Sequence, residues 1–298
     1  MCGTGISVWR RIGRVVLLAS LVTLMSHPAL AQVDLSGMWQ TMPRNQDGSG
    51  TTGDAAGVPL SPEGRWWADH WSPEDFDMAE FVCRPHAFDY GFEGGLSRMR
   101  MWTDVDRATQ QLVAINGHAN QEEQETTIWM DGRPHPPVNT VHTWSGFSTG
   151  EWDGDVLVVT TTHIKENYIR RSGLMRSDRS TVRTRWRRIG DYLQATTIHY
   201  DPVYLAEPYM RSALIWMNDP AMPMDPYPCE EATETANPRG TTKHFLPGQS
   251  RLPALDPDLP DRFGTPYQAR LGGPETMYPE YIDTMNTFPR LVATESEP

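Results

Sequence analysis

Cysteine is nearly absent from this chain: three occur in 298 residues. Cys2 falls in an N-terminal stretch with the marks of a leader, which leaves Cys83 and Cys229. Two such distant residues give no paired C-x-x-C framework. In an oxidising compartment they are most simply one disulfide, with a metal pair or a free nucleophile as alternatives. Closing a loop of that length stabilises a fold by roughly 4–5 kcal/mol in the chain-entropy account. Long apolar runs are lacking too. After the leader no stretch approaches the ~20 apolar residues that a membrane-spanning helix needs. No H-E-x-x-H, P-loop, or G-x-G-x-x-G after a strand occurs, which removes the common metalloprotease and nucleotide-binding readings at the level of motifs. Positive charge is short, with 26 Lys and Arg against 38 Asp and Glu and a formal charge of −12. That balance argues against nucleic acid and anionic membrane surfaces as partners. No internal repeat is evident.

What is present begins with the leader. Arg10, Arg11 and Arg14 form a positive n-region, Val15 to Met25 an apolar h-region, and Ala29-Leu30-Ala31 an A-x-A cleavage site. Residues 1–31 therefore read as a signal peptide, and the mature chain as exported, periplasmic or secreted. Losing three Arg and no acid takes the formal charge from −12 to −15.

The 25 Pro, 24 Gly and 11 Trp predict many turns, little long helix and bulky aromatic anchors. Ser61-Pro62-Glu63 supplies an N-cap, a Pro at the first helical position and an acid in the first turn, so a short helix runs from Pro62 to Trp71. Strand character marks Val33–Gln40, Leu96–Thr103, Gln111–Asn116, Thr126–Met130, Ser180–Arg188, Tyr192–Tyr200 and Ser212–Met217, with a further hairpin inside 140–165. Eight or nine strands over residues 32–217, joined by short antiparallel connections, predict an all-β domain. A lipocalin-like up-and-down antiparallel barrel is the first architecture and a two-sheet sandwich the second. Residues 218–298 are Pro-rich and aperiodic, an extended tail packing on the barrel with one short helix near Glu275 to Met285.

The hairpin carries the chemistry. Asp153-Gly154 between strand-like runs is a strong two-residue turn signal. Placed at the centre of the turn, it pairs Ser148 with Val159, Trp144 with His163 and His142 with Lys165, and puts all six on one face. His142 and His163 then become acid–base candidates, because imidazole titrates near neutral pH. Lys165 lies beside them to stabilise negative charge, and Trp144 offers a stacking surface. Gly146, Ser148 and Gly150 leave room for a ligand. His86 and His135 each follow Arg-Pro, a rigid presentation that suits either a site or a structural hydrogen bond, and Arg133 and Trp129 flank His135. His199 reads as a surface residue opposite the Arg183–Arg187 strand. His118, near Glu122, Glu123 and Glu125, borders an acidic loop. Arg170, Arg171, Arg176 and Arg179 form a basic cluster, and Tyr168–Arg171 continues the second hairpin strand.

The blocks CRPHAF (83–88), WMDGRPHP (129–136), WSGFSTGEWDGDVLVVTTTHIKE (144–166), DPVYLAEP (201–208) and MYPEY (277–281) together resemble a widespread family of exported bacterial proteins with no established activity. The likeness implies one fold across most of the mature chain and transfers no catalytic role. Relatives with Gly-Phe-Asn in place of His163-Ile164-Lys165 imply that His163 serves a subgroup.

Two readings follow. The first is a cofactor-independent lyase, hydratase or isomerase in which a small hydrophobic or aromatic substrate enters the barrel and His142 or His163 moves a proton. The second is a non-catalytic lipocalin-like binder of such a molecule. A metal-dependent hydrolase stands third. Neither of the first two needs a cofactor.

Overall fold

The computed structural model describes residues 33–42, 58–71, 84–92, 98–120, 124–170, 173–226, 266–270 and 274–289. The chain divides into two compact units, Met1–Val33 and Asp34–Pro298, and everything below concerns the second. The signal peptide and the Cys83–Cys229 pairing lie outside the described residues.

Nine strands close into a barrel, so the all-β barrel holds and the sandwich does not. In chain order the strands are β1 (Gly37–Thr41), β2 (Arg98–Val105), β3 (Leu112–Ala119), β4 (Gln124–Trp129), β5 (Phe147–Asp153), β6 (Val156–Thr162), β7 (Asn167–Arg170), β8 (Leu174–Arg176), β9 (Thr181–Ile189), β10 (Tyr192–Tyr200) and β11 (Tyr209–Asn218). Around the barrel the order is β1-β11-β10-β9-β6-β5-β4-β3-β2, while β7 and β8 form a separate two-stranded sheet. An odd number of strands cannot close with every neighbour antiparallel. The exception is β4–β5, paired in parallel at Ile128–Ser148 and Trp129–Thr149. The strand order still follows the chain as an up-and-down barrel requires, and this one parallel step is the correction to an all-antiparallel pairing. A parallel step must carry the chain back along the barrel, and residues 130–146 do so, including Pro134, Pro136 and Pro137.

Helix α1 (Pro62–His70) begins where Ser61 caps it, the Ser61 hydroxyl accepting from the Gly64 N–H at 3.1 Å. With β7, β8 and the turn at 201–205 it covers one end of the barrel. Val58, Leu60, Ala68, Ile169, Leu174 and Leu205 form one apolar cluster there. Trp71, Tyr90, Tyr168, Met175 and Tyr204 form another. Tyr168 therefore belongs to this cap and not to a continued hairpin strand. Two short helices, α2 (Tyr267–Arg270) and α3 (Tyr281–Met285), lie in the C-terminal region, α3 preceded by a 3₁₀ turn at Pro274–Met277.

The barrel is full. Trp39, Met99, Met101, Ile115, Ile128, Leu157, Trp186, Leu193 and Trp216 are buried, and the segment 84–92 is folded in against them. Phe92 meets Trp186 and Trp216 edge-on at 5.2 and 5.3 Å. Phe88 lies over Gly117, where an added Cβ would come within 2.6 Å of the ring. The space left among Phe88, Asp89, Thr126, Ser145, Ser148, Thr161 and Thr184 measures about 30 Å³. That accommodates a water or two, whereas small-molecule pockets run to ~300–1,000 Å³.

Candidate functional site

The turn between β5 and β6 falls one residue later than the sequence suggests. Asp153 pairs with Val156, leaving Gly154-Asp155 as the loop. Gly154 alone has positive φ, 64°, as the first central residue of a type II′ turn requires. Every cross-strand pair therefore moves by two: Ser148 faces Thr161, and Gly150 faces Val159. A two-residue slip preserves faces, so Ser148, Gly150, Leu157, Val159 and Thr161 do share one, and it is the inside of the barrel.

The ends of the hairpin do not follow that face. Gly146 (φ 71°) and His163 (φ 57°) both adopt left-handed backbone and interrupt the alternation. Thr143 then pairs with Ile164 in a parallel bridge, held by Thr143 N–H to the His163 carbonyl at 3.0 Å and Lys165 N–H to the Thr143 carbonyl at 2.9 Å. Ile164 is buried beneath this bridge, so its flanking residues turn outward in the pairs His142–His163 and Trp144–Lys165. The rings of His142 and His163 stand 5.1 Å apart, edge to face. Lys165, one of two lysines in the chain, holds its Nζ 4.8 Å from the centre of the Trp144 ring. The four residues read from the sequence thus converge with their partners exchanged, on the outer surface and not in a barrel mouth.

His135 joins them from the crossover. Its Nδ1 lies 2.7 Å from Thr162 Oγ1, its Nε2 2.8 Å from Thr149 Oγ1, and Phe147 packs edge-on against its ring. Thr162 Oγ1 also lies 2.7 Å from His163 Nδ1, and His163 Nε2 lies 2.9 Å from the Pro137 carbonyl. One atom fixes every proton in this row. A carbonyl oxygen can only accept, so His163 donates from Nε2 and accepts at Nδ1. Thr162 then donates to His163 and accepts from His135 Nδ1–H, leaving His135 Nε2 to accept from Thr149. Partial burial holds the His135 pKa below its ordinary value, and the charge His163 can carry lowers it further. Beside the row, the Arg133 guanidinium lies 3.5 Å from the centre of the Trp129 ring and is bound by Asp131 through a fork of hydrogen bonds.

His142 is arranged differently. Its Nδ1 faces the Ile164 carbonyl at 3.3 Å, which places the proton on Nδ1 and leaves the Nε2 lone pair free. Such a backbone-oriented imidazole is the ordinary form of a general base.

The other sequence candidates lie elsewhere. Ser148 sits inside the barrel, its hydroxyl 2.8 Å from Thr161 Oγ1, separated from the histidines by the sheet. Gly146-Phe147-Ser148-Thr149-Gly150 also spells G-x-S-x-G, but Ser148 is in mid-strand and not on the strand-to-helix elbow that the hydrolase pattern needs. Gly146 and Gly150 open no space for a ligand. An added Cβ would come within 2.6 Å of Ile164 Cγ1 and 2.5 Å of Met130 Sδ respectively, so protein already fills both positions. His86 is buried, stacked on Tyr90 at 3.9 Å with Nδ1 3.0 Å from Asn167 Oδ1, a structural contact of the inner segment. His118 meets Glu125 at 3.8 Å on the surface.

Sequence reasoning missed a second polar centre. Asp89, on the inner segment, receives both terminal nitrogens of Arg176 at 3.0 and 2.8 Å. Arg176 is 0% exposed, so it belongs to no surface basic cluster. His199 is 1% exposed, with Nε2 3.6 Å from Asp89 Oδ2 and no hydrogen-bond partner on either ring nitrogen. It faces inward, paired in register with Val182, contrary to the expected surface position. Burial pushes its pKa down to about 3, with the Asp89 charge opposing and Arg176 and Arg211 reinforcing. Desolvation is the largest single influence on the Asp89 carboxyl and pushes it the other way, but the charges of Arg176, His199 and Arg211 and the Arg176 hydrogen bonds together outweigh it and hold the carboxyl well below the usual range. The alternation Leu193, Ala195, Thr197, His199 along β10 was the signal that pointed inward.

Among the described residues no group of three or more His, Cys, Asp or Glu is placed to hold a metal ion, and no helix is long and apolar enough to cross a membrane. The chain matches no family model, no curated protein and no solved structure among those compared with it.

Proposed function

We propose that this is an exported, cofactor-independent acid–base enzyme whose site lies on the outer face of the barrel, with His142 as the base. The observation that carries the reading is the His142 ring. A backbone carbonyl sets its tautomer, its ring stands 5.1 Å from that of His163, and at the same bridge the Lys165 ammonium lies over the Trp144 indole. A small aromatic or hydrophobic substrate would lie against Trp144, lose a proton to His142 Nε2, and have its developing negative charge balanced by Lys165. That sequence fits a lyase, hydratase or isomerase. The filled interior directs the substrate to the surface and removes the lipocalin mode of holding a ligand at the barrel axis. A non-catalytic binder at the same outer face is the second reading, favoured by the complete satisfaction of the His135–Thr162–His163 row. The likeness to exported bacterial proteins stands as part of this proposal, as does a Cys83–Cys229 disulfide, for which an intact mass without reductant showing two free thiols would be the contrary result.

The test is a ligand-observed NMR screen of small aromatic and terpenoid compounds, followed by turnover assays of each hit with His142→Gln and Lys165→Ala. Loss of turnover in both with binding retained supports the enzyme. Binding without turnover in the wild type selects the binder.

A further inference from the structure

We propose that His135 and His163, joined through the Thr162 hydroxyl, share a single proton and exclude a second.

The hydrogens along the row can be counted. In the neutral row Thr149 donates to His135, His135 to Thr162, Thr162 to His163 and His163 to Pro137, so every donor has an acceptor. One added proton is accommodated at either ring. On His135 it occupies Nε2, and the Thr149 hydroxyl rotates to accept it. The row then passes it on without a vacancy: the His135 Nδ1–H bond breaks as a new bond forms to Thr162 Oγ1, while the original Thr162 O–H bond breaks as a bond forms to His163 Nδ1. His163 is now the cation, and Thr162 donates back to His135. A second proton has no such arrangement. Both Nδ1–H groups would point at one oxygen, the Thr162 hydrogen would lose its acceptor, and two cations would face each other across a single atom.

The surroundings do not relieve that conflict. Phe147 covers His135 from β5, and Asp131 is already held by Arg133. Lys165 lies over Trp144, and Glu166 accepts from Tyr204. Glu151 on β5 and Arg183 on β9 are exposed. The lowered pKa of His135, with His163 among its causes, agrees with the count.

The test is an imidazole ¹⁵N and ¹³C titration of the full chain between about pH 8 and pH 4.5. The wild type is expected to show His135 and His163 shifting with one common midpoint, each by part of the full amplitude, because one proton is divided between them. Thr162→Val removes the bridge at nearly constant volume and is expected to separate the two midpoints and restore full amplitude to both. His163→Gln is expected to raise the His135 midpoint. Two rings that titrate independently and completely in the wild type overturn the proposal without any variant, as do curves that Thr162→Val leaves unchanged.

Discussion

Acidification probes the buried centre at one residue. His199 titrates at about 3 in the folded chain because burial disfavours its charged form, and near 6.5 when unfolded. The folded value is the lower one, so between those limits the unfolded chain binds a proton that the folded chain refuses. Stability is therefore full above the unfolded value and falls as pH drops through the window. At 1.36 kcal/mol per unit the loss is about 3 kcal/mol by pH 4.5 and about 4 kcal/mol by pH 3. Asp89 works in the same direction but further down. Its folded pKa is depressed, so its contribution is lost only below its ordinary value of 3.8. The range from pH 7 to about 4.5 thus isolates the histidines. Urea unfolding followed by tryptophan fluorescence across that range is expected to show a falling midpoint in the wild type. His199→Phe, which keeps an aromatic ring beside Tyr209, is expected to flatten most of that slope. A His199→Phe slope equal to the wild type would refute the assignment of the buried neutral imidazole.

Two further outcomes follow from the interior. Arg176→Met leaves the Asp89 carboxylate buried without its fork and is expected to cost about 3–5 kcal/mol in urea unfolding at pH 7, much of it recovered in the double variant with Asp89→Leu. Gly117→Ala drives a Cβ to within 2.6 Å of Phe88 and 3.1 Å of Thr126 and is expected to cost ~1–3 kcal/mol, read as a lower Tm.

The barrel was legible because its strands alternate and its turns carry Gly with Asp, signals confined to a few neighbouring residues. The parallel β4–β5 contact was not, since it depends on where a Pro-rich crossover lands. At the site the same limit operates. The slip of two kept Ser148 and Gly150 on one face with Leu157, Val159 and Thr161, but His142, Trp144, His163 and Lys165 leave that face and meet outside. Their actual pairing depends on left-handed backbone at Gly146 and His163. A glycine advertises that conformation, but a histidine does not. The Asp89–Arg176 pair joins residues 87 apart in sequence, and nothing local announces it. His199 was readable from the Leu193–Ala195–Thr197 face and was masked by attention to the charged residues of the neighbouring strand.

The proposed function places the chemistry on the outer face and leaves the barrel interior as scaffold. Side-by-side kinetics of His142→Gln and Ser148→Ala on a turned-over compound test it most directly, since the two residues lie on opposite sides of one sheet. A loss of about 10²-fold or more in kcat is expected for His142→Gln, and a change within about twofold for Ser148→Ala. Turnover that survives His142→Gln and collapses with Ser148→Ala would contradict it.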